Sequence, residues 1–125
     1  AIFRMPECYL TSSDPVYRRE VGNTFQNVSF VLRRDLFQEL RRIMEKYPSG
    51  TLMAVDDTPQ IGDSYRDDMK GSRITLVFYN NPLEALKALE GPDKINPDVI
   101  ISDIDMPEMD GFEFMAQVMK VYASE

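Results

Sequence analysis

The sequence predicts an α/β domain built around a parallel sheet, and three observations lead there. Five short apolar runs, at residues 8–10, Val28–Leu32, 52–55, 74–79 and 99–101, are each of strand length, and most lack strict polar alternation. Such runs suit strands covered on both faces by helices. Stretches with helical spacing follow each run, so strand and helix alternate along the chain. Polar residues close most of the runs, and parallel strands carry all such ends to one rim of the sheet.

Taken in order, the run at 8–10 is followed by a short polar stretch, 14–21, expected to be helical. After Val28–Leu32, residues 35–47 carry Leu36, Leu40, Ile43, Met44 and Tyr47 on one helical face, and Pro48-Ser49-Gly50 ends the helix. The run at 52–55 leads to a helix over 59–70 with Ile61, Tyr65 and Met69 inward. After 74–79, Asn81-Pro82-Leu83-Glu84 combines an N-cap residue, a first-turn proline and a Glu three residues on, and Gly91 closes that helix. Residues 91–97 form a turn-rich connection. The final helix, over 111–122, presents Phe114, Met115, Val118, Met119 and Tyr122 to the core, with Phe112 also expected inside.

The 125 residues suit one compact domain, and 43% hydrophobic with 28% charged residues is ordinary globular composition. The net charge is -7. Residues 1–50 hold 8 basic and 6 acidic residues and residues 51–125 hold 6 and 15, so the halves are +2 and -9. An acidic chain without a basic run is a poor direct partner for nucleic acid or an anionic membrane. Histidine is absent, which removes serine-type triads and the usual zinc sites. Cys8 is the single cysteine, expected as a small core residue in a reducing compartment. No apolar run approaches a membrane span and no signal-like region opens the chain, so a cytoplasmic location is expected. The chain opens on Ala1 instead of Met, as a processed chain or one cut from something longer would.

The rim residues carry the chemistry. Asp56-Asp57 follow the third run, Ser102-Asp103-Ile104-Asp105 the fifth, Thr11-Ser12-Ser13 the first and Arg33-Arg34 the second. Crowded carboxylates repel unless a cation or a shared proton intervenes. Mg²⁺ suits such a set, taking carboxylate oxygens, a carbonyl and waters while leaving a place for a phosphate oxygen. Hydroxyl and guanidinium groups would hold the remaining phosphate oxygens. Each group also has a plain structural reading: Asp56-Asp57 as caps of the helix at Pro59, Thr11 and Ser12 as strand ends, Arg33 and Arg34 as solvated charges, Asp105 as a loop acid. Their coincidence at four strand ends favours a site.

The string Pro97-Asp-Val-Ile-Ile-Ser-Asp103-Ile-Asp-Met-Pro107-Glu-Met-Asp-Gly111 resembles the phosphoacceptor region of the response-regulator receiver domain, and Leu52-Met-Ala-Val-Asp56-Asp57-Thr-Pro resembles that family's first strand and acidic pair. The resemblance implies that Asp103 is the phosphoacceptor. It implies that Asp57 and Asp103 give carboxylates to Mg²⁺, that Asp56 acts mainly through a bound water, and that the backbone carbonyl of Asp105 completes the protein ligands. Glu7-Cys-Tyr-Leu-Thr11-Ser-Ser resembles the family's fourth strand, with Thr11 as switch hydroxyl and Ser12 the small residue after it. Val28-Ser-Phe30-Val-Leu-Arg33 resembles the fifth, with Phe30 at the switch aromatic and Arg33 where the family has lysine.

The implied fold is therefore a flavodoxin-like, doubly wound, five-stranded parallel sheet with helices on both faces, in circularly permuted order. Residues 1–47 resemble the family's C-terminal half, 48–51 are a linker, and 52–125 resemble its N-terminal half, all within one domain. The family strand order then predicts a spatial order of fourth run, third, fifth, first, second. The short connection at 48–51 lets the chain close on itself without breaking a topological rule. Arg34 stands at the family's proline, so a trans peptide is expected there, a non-proline cis bond costing roughly 2.5 to 4 kcal/mol.

The function implied is a signalling module, not an enzyme in the ordinary sense: Asp103 accepts a phosphoryl group from a histidine kinase or phosphotransfer protein, and the surface around Val16, Phe30 and the helix at 35–47 reports it. A homodimer through the Val28–Tyr47 region fits the same resemblance. Two other functions stay open. Arg33 suggests a pseudo-receiver that binds partners without phosphoryl chemistry. Asp103-Ile-Asp105 also reads as the Asp-x-Asp of a haloacid-dehalogenase-type phosphohydrolase, with Asp103 as nucleophile and Asp105 as general acid.

Overall fold

The computed structural model describes residues 4–123; the first three and the last two residues of the expected 1–125 domain lie outside it. Its elements are β1 (Glu7–Ser12), α1 (Tyr17–Thr24), β2 (Val28–Leu32), a 3-10 turn (Arg33–Asp35), α2 (Leu36–Lys46), β3 (Thr51–Val55), α3 (Pro59–Asp68), β4 (Thr75–Tyr79), α4 (Pro82–Ala88), β5 (Val99–Asp103) and α5 (Gly111–Ala123). All strand pairs are parallel and the order across the sheet is β2-β1-β5-β3-β4. This is the spatial order that the family resemblance implies for the five runs.

Side-chain alternation along the central strands builds two cores. Cys8, Leu10, Met53, Val55 and Ile100 face α1, α4 and α5, where Val21, Ala85, Leu89, Phe114, Met115 and Val118 meet them. Leu52, Ala54, Val99 and Ile101 face the other way, toward Leu36, Leu40 and Ile43 of α2 and Tyr65 and Met69 near α3. Both faces of the central strands are thus dry, which is why their sequence lacks polar alternation. Cys8 sits in the first core with its thiol pushed up to about 12 by burial, as an inert structural cysteine should be. Among the described residues no helix is long and apolar enough to cross a membrane.

Several boundaries differ from the sequence expectation. The strands outrun their apolar cores: β1 continues through Thr11 and Ser12, and β5 through Ser102 and Asp103, because Thr11 pairs with Asp103 across the ladder. The first helix begins at Tyr17 instead of residue 14. The Asp14 carboxylate accepts from the Val16 N–H at 3.0 Å, which closes a local turn in place of a helix start. The second helix begins at Leu36, because Arg33–Asp35 wind more tightly first. Phe112 is only half-buried, packing beside the Tyr17 and Phe25 rings at 6.0 and 6.3 Å.

Two helix starts explain local sequence choices. Asn81 Oδ1 accepts from the Leu83 N–H at 2.9 Å, which makes it the N-cap expected for α4. Asp110 Oδ1 does the same for the Glu113 N–H at 2.8 Å, ahead of α5. Gly111 then lets α5 approach β5: a Cβ there would lie 2.5 Å from the Asp103 carbonyl oxygen and 2.7 Å from Ile104 Cα. Its N–H donates to the Ile104 carbonyl at 2.8 Å. No cis peptide occurs among the described residues, Arg34 included.

Candidate functional site

Parallel pairing brings the carboxyl ends of all five strands to one edge, and the polar residues of that edge converge. Asp56, directly after β3, is 2% exposed, and Asp103, the last residue of β5, is 7% exposed. Asp57 is half-buried beside them, and one carboxylate oxygen from each of the three lies within 4.8 Å of the others. Asp56 is held by its own turn, its Oδ1 accepting from the Thr58 N–H at 2.9 Å. It does not cap α3, whose N-cap, Thr58, makes no side-chain cap bond.

Arg33 enters this cluster from the end of β2. Its Nη2 donates to Asp56 Oδ2 at 2.8 Å and to Asp103 Oδ1 at 3.1 Å, bridging two strand ends with one nitrogen. Its Nε is buried without a partner. One guanidinium does not neutralise three carboxylates. Burial and the neighbouring Asp56 charge push Asp103 up to about 6 from the usual 3.8, against Arg33 and the Asp105 N–H, which pull it down. Asp56 is raised too, chiefly by burial, with the Thr58 N–H and Arg33 opposing.

Thr11 lies opposite Asp103 in the ladder, 1% exposed, and its hydroxyl has no hydrogen-bond partner within the protein. Leaving a buried hydroxyl unpaired costs about 1 to 3 kcal/mol, so a partner from outside the protein, water or ligand, is expected beside Asp103. Ser12 is differently employed. Its Oγ donates to Asp105 Oδ2 at 3.2 Å and accepts from the Asp14 N–H at 3.1 Å.

Asp105 is exposed, and its carboxylate turns away from the cluster toward Ser12 and the Tyr17 hydroxyl, which donates to Oδ1 at 3.4 Å. The Asp105 side chain is therefore not part of the three-carboxylate group, although its backbone N–H reaches Asp103. Tyr17, which the sequence did not single out, is the residue that draws it outward together with Ser12. Arg34 is exposed and makes none of the site's contacts. Phe30 is half-buried in β2, one strand from Thr11, with the Arg18 guanidinium 5.1 Å above its ring.

A hard divalent cation of Mg²⁺ size binds oxygens at about 2.0 to 2.1 Å, so its ligands lie at most about 4.2 Å apart. One oxygen from each of Asp56, Asp57 and Asp103 lies within 4.8 Å of the others, a separation that small rotamer adjustment closes to that span. All three donors are hard carboxylate oxygens. The residues fit the ion.

The model of the response regulator receiver domain family matches residues 52–124. The chain is 42% identical over 69 residues to the sensor histidine kinase CheAY of Helicobacter pylori, a match that covers 55% of this chain and 8% of that protein. It is 39% identical over 69 residues to the chemotaxis protein CheY of Listeria monocytogenes, covering 54% of this chain and 56% of that one. To the DNA-binding transcriptional regulator NtrC of Escherichia coli K12 it is 35% identical over 69 residues, 55% of this chain and 14% of that protein. The chain thus spans little more than half of the CheY and small fractions of the other two. No solved structure matches. A family model that takes in more than half of the chain, laid over a five-stranded parallel sheet with its acidic residues at one edge, establishes that the chain belongs to the response regulator receiver domain family.

Proposed function

We propose that this receiver domain accepts a phosphoryl group on Asp103 within a two-component phosphorelay, from a histidine kinase or a phosphotransfer protein in the cytoplasm. In the transfer, an Asp103 carboxylate oxygen attacks phosphorus in line as the bond to the donor's histidine nitrogen breaks. Asp56, Asp57 and Asp103 would hold Mg²⁺, with the backbone carbonyl of Asp105 as the ligand the family resemblance supplies. Bound there, Mg²⁺ would neutralise charge on the phosphoryl oxygens. Thr11 would donate its hydroxyl to a phosphoryl oxygen, and Arg33 would pair with another. Ser12 would join them only by leaving Asp105. The reading rests above all on one observation: a buried, unpaired Thr11 hydroxyl beside a buried carboxylate whose pKa is raised to about 6.

The experiment is intact mass after incubation with Mg²⁺ and acetyl phosphate. Wild type should gain one phosphoryl group and Asp103→Asn none; an unmodified wild type sinks the proposal. That result would promote the pseudo-receiver, which the double contact of Arg33 favours because it already occupies Asp56 and Asp103. The phosphohydrolase reading loses its general acid, since the Asp105 carboxylate faces Ser12 and Tyr17.

The part of the chain ahead of the family match supports a second element of the proposal. Residues 1–47 would stand for the family's C-terminal half and 48–51 for a linker, all in one permuted domain with 52–125. The observed sheet order and the delivery of Thr11 and Arg33 to Asp103 by β1 and β2 support it. Light scattering over a dilution series should find a monomer at low concentration. A dimer that persists at every dilution would mean that two chains complete each other. A concentration-dependent dimer would point to the Val28–Tyr47 region, where Phe30 lies on β2, an edge strand of the sheet.

A further inference from the structure

We infer that Arg33 is a built-in competitor of the divalent cation: its guanidinium occupies the Asp56 and Asp103 oxygens the ion needs, so metal entry requires Arg33 to leave. The inference rests on the metal reading of the site given above and says how that site is regulated.

The geometry puts the two cations in conflict. Arg33 Nη2 lies 2.8 Å from Asp56 Oδ2 and 3.1 Å from Asp103 Oδ1, which are two of the three carboxylates close enough to share an ion. An ion bound to those oxygens would sit within a few ångströms of the guanidinium, where like charges repel strongly in a poorly hydrated site. A lone pair that accepts from the guanidinium is not available to the ion. Arginine suits the role, since its planar guanidinium holds its N–H donors in fixed directions.

The exit is also built in. The Arg33 side chain is 26% exposed, so it faces solvent on one side. Its buried Nε bonds to nothing, so no hydrogen bond is broken there on departure and water becomes available to it. Arg33 begins the 3-10 turn whose next element is α2. Metal occupancy is thereby connected to the start of a helix through a single residue. By linkage, any partner that holds that turn in the Arg33-in position weakens the ion by the factor by which the ion weakens the partner.

The test is isothermal titration of the full chain with Mg²⁺ and Mn²⁺, in wild type, Arg33→Lys and Arg33→Met. Lysine keeps the charge but presents a single point donor on a stem without the fork. If Arg33 competes by occupancy, both variants bind the ions roughly tenfold or more tighter than wild type, the yield of releasing a charge-assisted hydrogen bond. Thermal melts should agree, with Mg²⁺ against EDTA raising the melting temperature of Arg33→Met more than that of wild type. Tighter binding in Arg33→Met alone, with Arg33→Lys equal to wild type, would overturn the inference, because charge and not occupancy would be responsible. Equal affinity in all three, with phosphorylation of wild type intact, overturns the inference and leaves the proposed function standing. No binding by any of the three removes the metal reading and this inference together.

Discussion

Gly111→Ala should destabilise the protein because the added methyl has nowhere to go. The new Cβ would lie 2.5 Å from the Asp103 carbonyl oxygen, 2.7 Å from Ile104 Cα and 3.0 Å from Leu10 Cδ2. Ordinary contact needs about 3.4 Å, so α5 or the end of β5 must retreat by close to 1 Å. The first two neighbours are backbone, which no rotamer change relieves. Overpacking of this kind costs about 1 to 3 kcal/mol. For 125 residues, about 2 kcal/mol corresponds to a fall of about 8 °C in melting temperature. The assay is thermal denaturation followed by circular dichroism, with Gly22→Ala as the matched control. Gly22 is exposed in the last turn of α1 with nothing within 4 Å of a Cβ, so alanine there should stabilise by up to about 0.5 kcal/mol through helix propensity. A Gly111→Ala melt within about 2 °C of wild type, or an equal fall in both variants, would refute the steric argument.

Three further outcomes follow from the site and its opposite rim. Thr11→Val removes a buried hydroxyl that has no partner and keeps its shape, so the unphosphorylated protein should melt at the same temperature or up to about 4 °C higher; a clear fall would mean the hydroxyl is bonded after all. Divalent binding needs ionised Asp103, whose pKa of about 6 lies above the ordinary 3.8, so Mg²⁺ affinity should climb between pH 5 and 7 and then level, where an unshifted carboxylate would give a flat profile. By the same sign, this group favours the metal-free fold most at low pH, and that contribution is lost as the pH rises through about 6. Glu7 behaves oppositely: burial raises its pKa, but its hydrogen bonds from Lys46, Tyr47 and Tyr9 together lower it. Its stabilisation is present above the ordinary 4.5 and fades on acidification, so Glu7→Gln should cost about 0.5 kcal/mol at pH 7 and progressively less as the pH falls below that, as paired urea melts would read.

The convergence of Asp56, Asp57, Asp103, Thr11 and Arg33 was legible because it depends on a single topological fact, that parallel strands end on the same side, whereas the sheet order followed from the family resemblance. Apolar runs mark the strands, and whatever follows them must share an edge. The direction of the Asp105 carboxylate was not legible. Two residues after β5, it follows the loop and the competing donors Ser12 and Tyr17, which come from another strand and helix. The start of α1 escaped for a related reason: Asp14 resembles a helix cap in sequence, yet the Ser12 hydroxyl takes its N–H and its own carboxylate takes Val16. Gly111 was visible as part of a motif, but the sequence does not reveal that its missing side chain lets a helix rest on the Asp103 carbonyl.

The strand at the middle of the sheet is the last of its five to be synthesised. β1 pairs with β2, and β3 with β4, but the two pairs meet only through β5, whose residues pair with β1 on one side and β3 on the other. Until residues 99–103 have left the ribosome, the nascent chain holds two separate two-stranded units, each with an open apolar edge. Folding therefore waits on contacts of long sequence separation, which slows it and leaves those edges available for mispairing. Glu7↔Val99 and Leu52↔Val99 share one residue of β5, so its arrival joins both halves at once. Chains stalled before that strand should be held by chaperones or aggregate, and chains just past it should become resistant to protease in a single step.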